Sequence, residues 1–187
     1  MTSPVPDAGV TPSLNGGHVA LLPFRIEDVT DRYISWLNDE EVMRYTEARG
    51  VRHTHADALS YVEKQIRSHD VHFWRIAVDG EHIGNFRVSN LTSPHRRASL
   101  ALIIGDGRHR GKGVGTAAIR LASEYLLNQR RLHKLIAGIY AANRASIRAF
   151  ENAGFHREAV LADHYWCDGR FVDGLMMACL HAGARLA

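Results

Sequence analysis

Between residues 108 and 116 the chain reads Arg-His-Arg-Gly-Lys-Gly-Val-Gly-Thr, three glycines at alternate positions among three basic side chains. Glycine lets a backbone approach an anion with no side chain in the way, and a helix that starts here would aim free N–H groups and a positive dipole at it. Arg108, His109, Arg110, Gly111, Lys112, Gly113, Val114, Gly115 and Thr116 therefore form a candidate phosphate cradle, with Arg108, Arg110 and Lys112 adding charge at its mouth. Two common nucleotide motifs do not fit. A P-loop needs Ser or Thr directly after its lysine, and Lys112 is followed by Gly113. A dinucleotide fingerprint needs an acidic residue after the next strand, and Tyr140 is followed by Ala-Ala-Asn.

The cradle has to be held by a strand before it and a helix after it. The uninterrupted apolar run Leu100 to Ile104 predicts a strand buried on both faces, within a longer strand from Arg96 to Gly105. A helix is expected from about Gly113 to Asn128, then a strand over Lys134 to Tyr140 and a helix over Ala145 to Ala153. Two closing strands follow around Phe155 to Ala162 and Phe171 to Cys179. Upstream, His18 to Phe24 reads as a strand, and Glu27 to Leu37, Asp39 to Tyr45 and Ala56 to Ser68 as helices, the last capped by Thr54 or His55. The stretch His72 to Asn90 alternates and breaks at Asp79-Gly80, a hairpin signal. The fold class is α/β with a mixed sheet, in one domain over residues 18–187. Residues 1–17, with three of the five prolines, read as a flexible tail.

Composition removes several classes of function. With 187 residues, 45% of them apolar, the chain can bury one core. Net charge is only +3 and the arginines are scattered, so a local anionic ligand fits better than nucleic acid. Two cysteines, Cys167 and Cys179, supply neither a disulfide framework nor a cysteine zinc site, and a reducing cytoplasm is the expected location. No signal peptide or membrane-spanning run is legible, so no membrane partner is expected. The twelve histidines show no metal-site spacing, and no metal is expected.

A second motif lies downstream. Asn143-Arg-Ala-Ser146-Ile-Arg-Ala-Phe150-Glu151-Asn-Ala-Gly154-Phe155 resembles the second signature of GNAT N-acetyltransferases, and Arg110-x-x-Gly113-x-Gly115 resembles their acetyl-CoA signature. His164 to Asp173 and Tyr33 to Val42 are similar to the last hairpin and first helices of the RimJ/RimL-like branch. The resemblance spans roughly Gly17 to Leu180. It implies a splayed, mostly antiparallel sheet flanked by helices, with acetyl-CoA as co-substrate in a V-shaped slot. It implies that Leu102, Ile103 and Ile104 pair with the pantetheine arm and that the cradle binds the pyrophosphate. Asn143 would bond the pantetheine, with Ser146 near the cofactor; helix capping is a sufficient structural reason for both. The implied reaction is direct transfer of acetyl to a primary amine of a small molecule, an amino sugar among the options. The alternatives are a protein N-terminal amine and a catalytically lapsed acetyl-CoA sensor. The branch also suggests a homodimer.

Two positions depart from the family's pattern. Ser99 stands where many relatives carry a glutamate base, and Phe150 where many carry a tyrosine acid. Candidates for the base are Glu40, Glu41, His72, His82 and Tyr165, and departure of the thiolate is left to water or another residue. For the glutamates the competing reading is a solvated helix face, and for the histidines a surface or hydrogen-bonded ring.

Overall fold

The computed structural model describes residues 10–181. Eight strands form one open sheet: β1 (Leu14–Asn15), β2 (Val19–Pro23), β3 (Val71–Val78), β4 (Glu81–Ser89), β5 (Arg97–Ile104), β6 (Lys134–Tyr140), β7 (His156–Cys167) and β8 (Arg170–Leu180). Their order is β1-β2-β3-β4-β5-β6-β8-β7, and every pairing is antiparallel except β5 with β6. The helices are α1 (Asp31–Leu37), α2 (Glu40–Met43), α3 (His55–Ile66), α4 (Val114–Glu124) and α5 (Arg144–Asn152).

One face of the sheet packs against α4 and α5 through a core that includes Leu21, Trp74, Phe86, Ile119 and Leu135. The other face packs against α1 and α3 through Phe24, Tyr33, Trp36, Val62 and Phe73. β3 and β4 run between these two apolar layers, which is why they are buried along almost their whole length.

Local chemistry sets the boundaries. The helix expected over Glu27 to Leu37 divides into a single 3-10 turn, Ile26–Asp28, and α1, because the Thr30 hydroxyl accepts from the Tyr33 N–H and starts a new helix. At α3 the cap is Thr54, in a reciprocal capping box with Asp57. The Asp79-Gly80 turn has φ of 49° and 85°, the left-handed pair that a tight hairpin requires. After Glu124 the helix widens into a π turn, Tyr125–Gln129.

Of the tail expected over residues 1–17, residues 1–9 lie outside the described residues. In the described part, Leu14 and Asn15 pair with β2, and the Trp74 Nε1–H donates to the Pro12 carbonyl at 2.6 Å. A buried indole N–H needs an acceptor, and this segment supplies it.

Candidate active site

β5 and β6 pair only at Arg97, Ala98 and Ser99 with Lys134, Leu135 and Ile136. Beyond Ser99 they part. On its other edge β5 continues to pair with β4 as far as Ile104. The edge of residues 100–104 that faces β6 therefore offers backbone N–H and C=O groups to whatever enters the gap. The expected burial on both faces does not hold here: Ala101 is exposed and Leu102, Ile103 and Ile104 are half-buried, because the strand lines an open slot.

The slot has a volume of about 660 Å³. Its walls come from β5, from β6 at Ala137–Tyr140, and from Asn143, Ser146 and Phe150 of the α5 region. Tyr45, Thr46, Glu47 and Ala48 roof it, together with Tyr61 and Ala58 of α3. Asn38 pins this roof to α1, since its side chain both donates to the His53 carbonyl and accepts from the His53 N–H, each at 2.9 Å.

The glycine run follows β5 and leads into α4. Gly111 and Gly113 adopt φ of 72° and 79°, a region costly for other L-residues, and a Cβ on either would meet nothing within 4 Å. That clear space lies at the N-terminus of α4, where Gly113 is the cap and offers no side chain to the first N–H groups. Gly115 faces inward, where a Cβ would touch Leu102 at 3.7 Å and Ala149 at 3.9 Å.

The basic residues of the run are used differently from the expectation. Arg108 pairs with Asp106 at 2.7 Å and Glu81 at 2.6 Å, and Arg32 pairs with the same two carboxylates. Arg110 donates to the Ile104 carbonyl at 3.2 Å and pairs with Glu41 at 3.2 Å. These two arginines brace the loop, and Lys112 is left exposed with no ion pair among the described residues. The Arg108 guanidinium holds the Asp106 carboxyl well below the usual carboxylate range. Glu81, Asp106 and His109 are close enough to suggest a metal site, but the two arginines already neutralise both carboxylates.

Of the residues proposed for proton transfer, the structure brings one to the slot. Tyr165 of β7 stacks on Tyr140 with ring centroids 4.0 Å apart. A Cβ on Gly138 would lie 2.8 Å from its hydroxyl, so the phenol reaches across β6 at a glycine. Burial raises the Tyr165 pKa above its ordinary value, with Tyr140 and Glu47 adding to the effect. Glu40 and Glu41 line an outer recess beside α2 with Asp39 and Arg44 instead. His72 is fully buried on the α4 face among Trp74 and Tyr125, and burial lowers its pKa to about 4. His82 packs among Phe24, Tyr33 and Trp36, its Nε2–H donating to the Gly84 carbonyl at 3.0 Å, and burial lowers it likewise to about 4. Asn143 caps α5, its Oδ1 accepting from the Ser146 N–H at 3.1 Å, and both residues also line the slot. Phe150 lines it too, 2% exposed.

Sequence reasoning missed Glu47, Asn85, Arg87 and Tyr140, which all line the slot. Glu47 sits in a loop with no pattern to mark it. Asn85 and Arg87 could have been found, since strand alternation places both on one face of β4.

Residues 18–156 match the acetyltransferase (GNAT) domain family. The chain belongs to that family. The Bacillus subtilis probable N-acetyltransferase YjcK is 29% identical over 122 residues, 65% of this chain and 67% of that protein. The Escherichia coli spermidine N(1)-acetyltransferase is 28% identical over 160 residues, 85% and 84% of the two chains. Among solved structures, Mycobacterium smegmatis RimJ in complex with CoA-disulfide superposes with a TM-score of 0.83 at 22% identity, covering 96% of this chain and 92% of that one. GNAT enzymes use acetyl-CoA, and this site fits it. The unpaired edge of β5 suits the amides of the pantetheine arm, and the Gly111–Gly113 clearing at the α4 N-terminus suits the pyrophosphate.

Proposed function

We propose that this GNAT N-acetyltransferase acetylates the primary amine of a small molecule. The observation that carries the reading is the slot of about 660 Å³, a size in the range of small-molecule sites, with Tyr45–Ala48 and α3 among its lining. An extended peptide, the acceptor of the competing N-terminal reading, needs a groove that runs on past these residues. Acetyl-CoA, when bound, supplies an activated acetyl thioester.

The chain's own residues position the amine and handle the protons. The Glu47 carboxylate, at the Tyr140 and Tyr165 side of the slot, takes a proton from the attacking amine. The Tyr165 hydroxyl stays protonated at neutral pH because burial raises its pKa, so it serves as a donor to the departing thiolate and not as the base. Tyr165 thus fills the acid role that Phe150 cannot. Backbone N–H groups along β5 meet the developing negative charge on the carbonyl oxygen.

The test is release of free CoA thiol from acetyl-CoA with a panel of primary amines, with mass detection of the acetylated product. Turnover on small amines and none on N-terminal peptides is the expected result. Tight acetyl-CoA binding with no turnover on any amine would leave the sensor reading in its place.

A further inference from the structure

The acceptor side of the slot carries a cation that no carboxylate among the described residues neutralises. Arg87 of β4 lines the cavity, and its one hydrogen bond runs from Nε to Gln65 Oε1 at 2.8 Å. No carboxylate among the described residues pairs with it, whereas Arg49 is paired with Asp168 and Arg110 with Glu41. Gln65 fixes the guanidinium by its inner nitrogen, which leaves the two outer nitrogens for a ligand. Beside it Asn85 is 8% exposed, lines the same cavity, and its Oδ1 has no hydrogen-bond partner. A buried polar atom without a partner is costly and points to a ligand group that completes it.

Register ties both residues to the reacting strand. Arg87 lies opposite Ala101 and Asn85 opposite Ile103, so each stands one strand away from the open edge of β5. Directly opposed side chains of neighbouring strands are roughly 5 Å apart at Cβ. The cavity's acidic groups are elsewhere: Asp57 accepts from the Thr54 N–H and hydroxyl at the α3 cap, and Glu47 stands at the Tyr140–Tyr165 side. The slot therefore has a cation on β4 and a carboxylate near Tyr140 and Tyr165.

We infer that the acceptor is an amine that also bears a carboxylate or phosphate, with Arg87 binding that anion and Asn85 Oδ1 accepting from a neighbouring O–H or N–H of the same molecule. The inference rests on the small-amine reading above and narrows it. Guanidinium geometry suits either anion, through two parallel N–H···O bonds. The same charge turns away a polyamine, whose second ammonium would meet Arg87 in a partly desolvated wall.

The experiment compares amines matched in length. β-Alanine and O-phosphoethanolamine provide the two anions, propylamine the neutral tail, and 1,3-diaminopropane the second cation. With wild-type protein, kcat/KM for at least one anionic amine should exceed that for propylamine and 1,3-diaminopropane by about tenfold or more, the scale of one charge-assisted contact. Arg87→Met should remove the advantage, and Arg87→Glu should reverse it in favour of 1,3-diaminopropane. Unchanged melting temperature and an unchanged acetyl-CoA thermal shift confirm that each variant is folded. A wild-type preference for the diamine, or an anion preference that survives in Arg87→Met, would overturn the inference while the acetyltransferase reading stands. If no amine turns over, that reading fails instead, and the inference is judged by binding. β-Alanine or O-phosphoethanolamine should then raise the melting temperature of the CoA-saturated wild type and not of Arg87→Met, and no such rise would overturn it.

Discussion

At the scale of single residues, the site depends on a phenol placed by two glycines. Tyr165 lies over Gly138 and against Gly174, where an added Cβ would come within 2.8 Å of its hydroxyl and 2.7 Å of its ring. Neither glycine has an unusual backbone angle, so both serve by leaving room. Replacing Tyr165 by Phe keeps the stack on Tyr140 and removes only the proton donor. The expected result is a fall in kcat of about 10²-fold or more with little change in KM, measured by thiol release. An unaltered kcat would place the acid elsewhere. Gly138→Ala should lower kcat through displacement of the same hydroxyl, while acetyl-CoA still raises the melting temperature. The sequence singled out Tyr165 by its place in a family-like hairpin, but it could not separate it from Glu41, His72 and His82. Those three have ordinary sequence surroundings, and only packing shows that one histidine faces α4, the other is walled in by Phe24 and Trp36, and Glu41 is paired with Arg110.

At the scale of elements, the strand, loop and helix around the glycine run were legible because each has its own local signal. The apolar run marks β5, alternate glycines mark the turn, and helical periodicity marks α4. What local signals cannot carry is the parting of β5 from β6, which turned an expected buried strand into the wall of a slot. The use of Arg108 and Arg110 as braces was hidden for a similar reason: apart from the adjacent Asp106, their carboxylate partners Glu81 and Glu41 are distant in sequence. The glycines of the run also divide in function. Gly113→Trp puts a large side chain into the clear space at the α4 N-terminus, and its positive φ adds strain of roughly 1–2 kcal/mol. The variant should fold and lose the acetyl-CoA thermal shift, which for wild type at ~100 times the dissociation constant corresponds to about 2.7 kcal/mol. Gly115→Ala, whose Cβ makes only ordinary contacts, should keep most of that shift. Equal loss in both variants would mean that the loop binds through another surface.

At the scale of the whole molecule, the sheet separates two apolar layers, and each layer has buried one neutral histidine. His82 sits in the layer under α1, and His72 in the layer under α4, where its Nε2 has no partner. Burial lowers both pKa values from 6.5 to about 4. An unfolded chain binds protons at these rings near pH 6.5, whereas the folded chain resists them until about pH 4. Between those values the unfolded state holds more protons, so stability rises with pH and is lost as pH falls. Each fully resisting histidine removes about 1.4 kcal/mol per pH unit below 6.5. The carboxylates of the Arg32–Arg108 network act in a lower range, since Asp106 and Glu81 are both held below their ordinary values. Urea unfolding at pH 7 and pH 5 should therefore show a marked loss of stability above the range in which Asp106 and Glu81 act. His72→Gln has no group to titrate at that position, and in it the slope should fall to roughly half. A flat profile from pH 7 to pH 5 would mean that both rings find compensating contacts when charged, and the two layers would not be as closed to protons as their packing indicates.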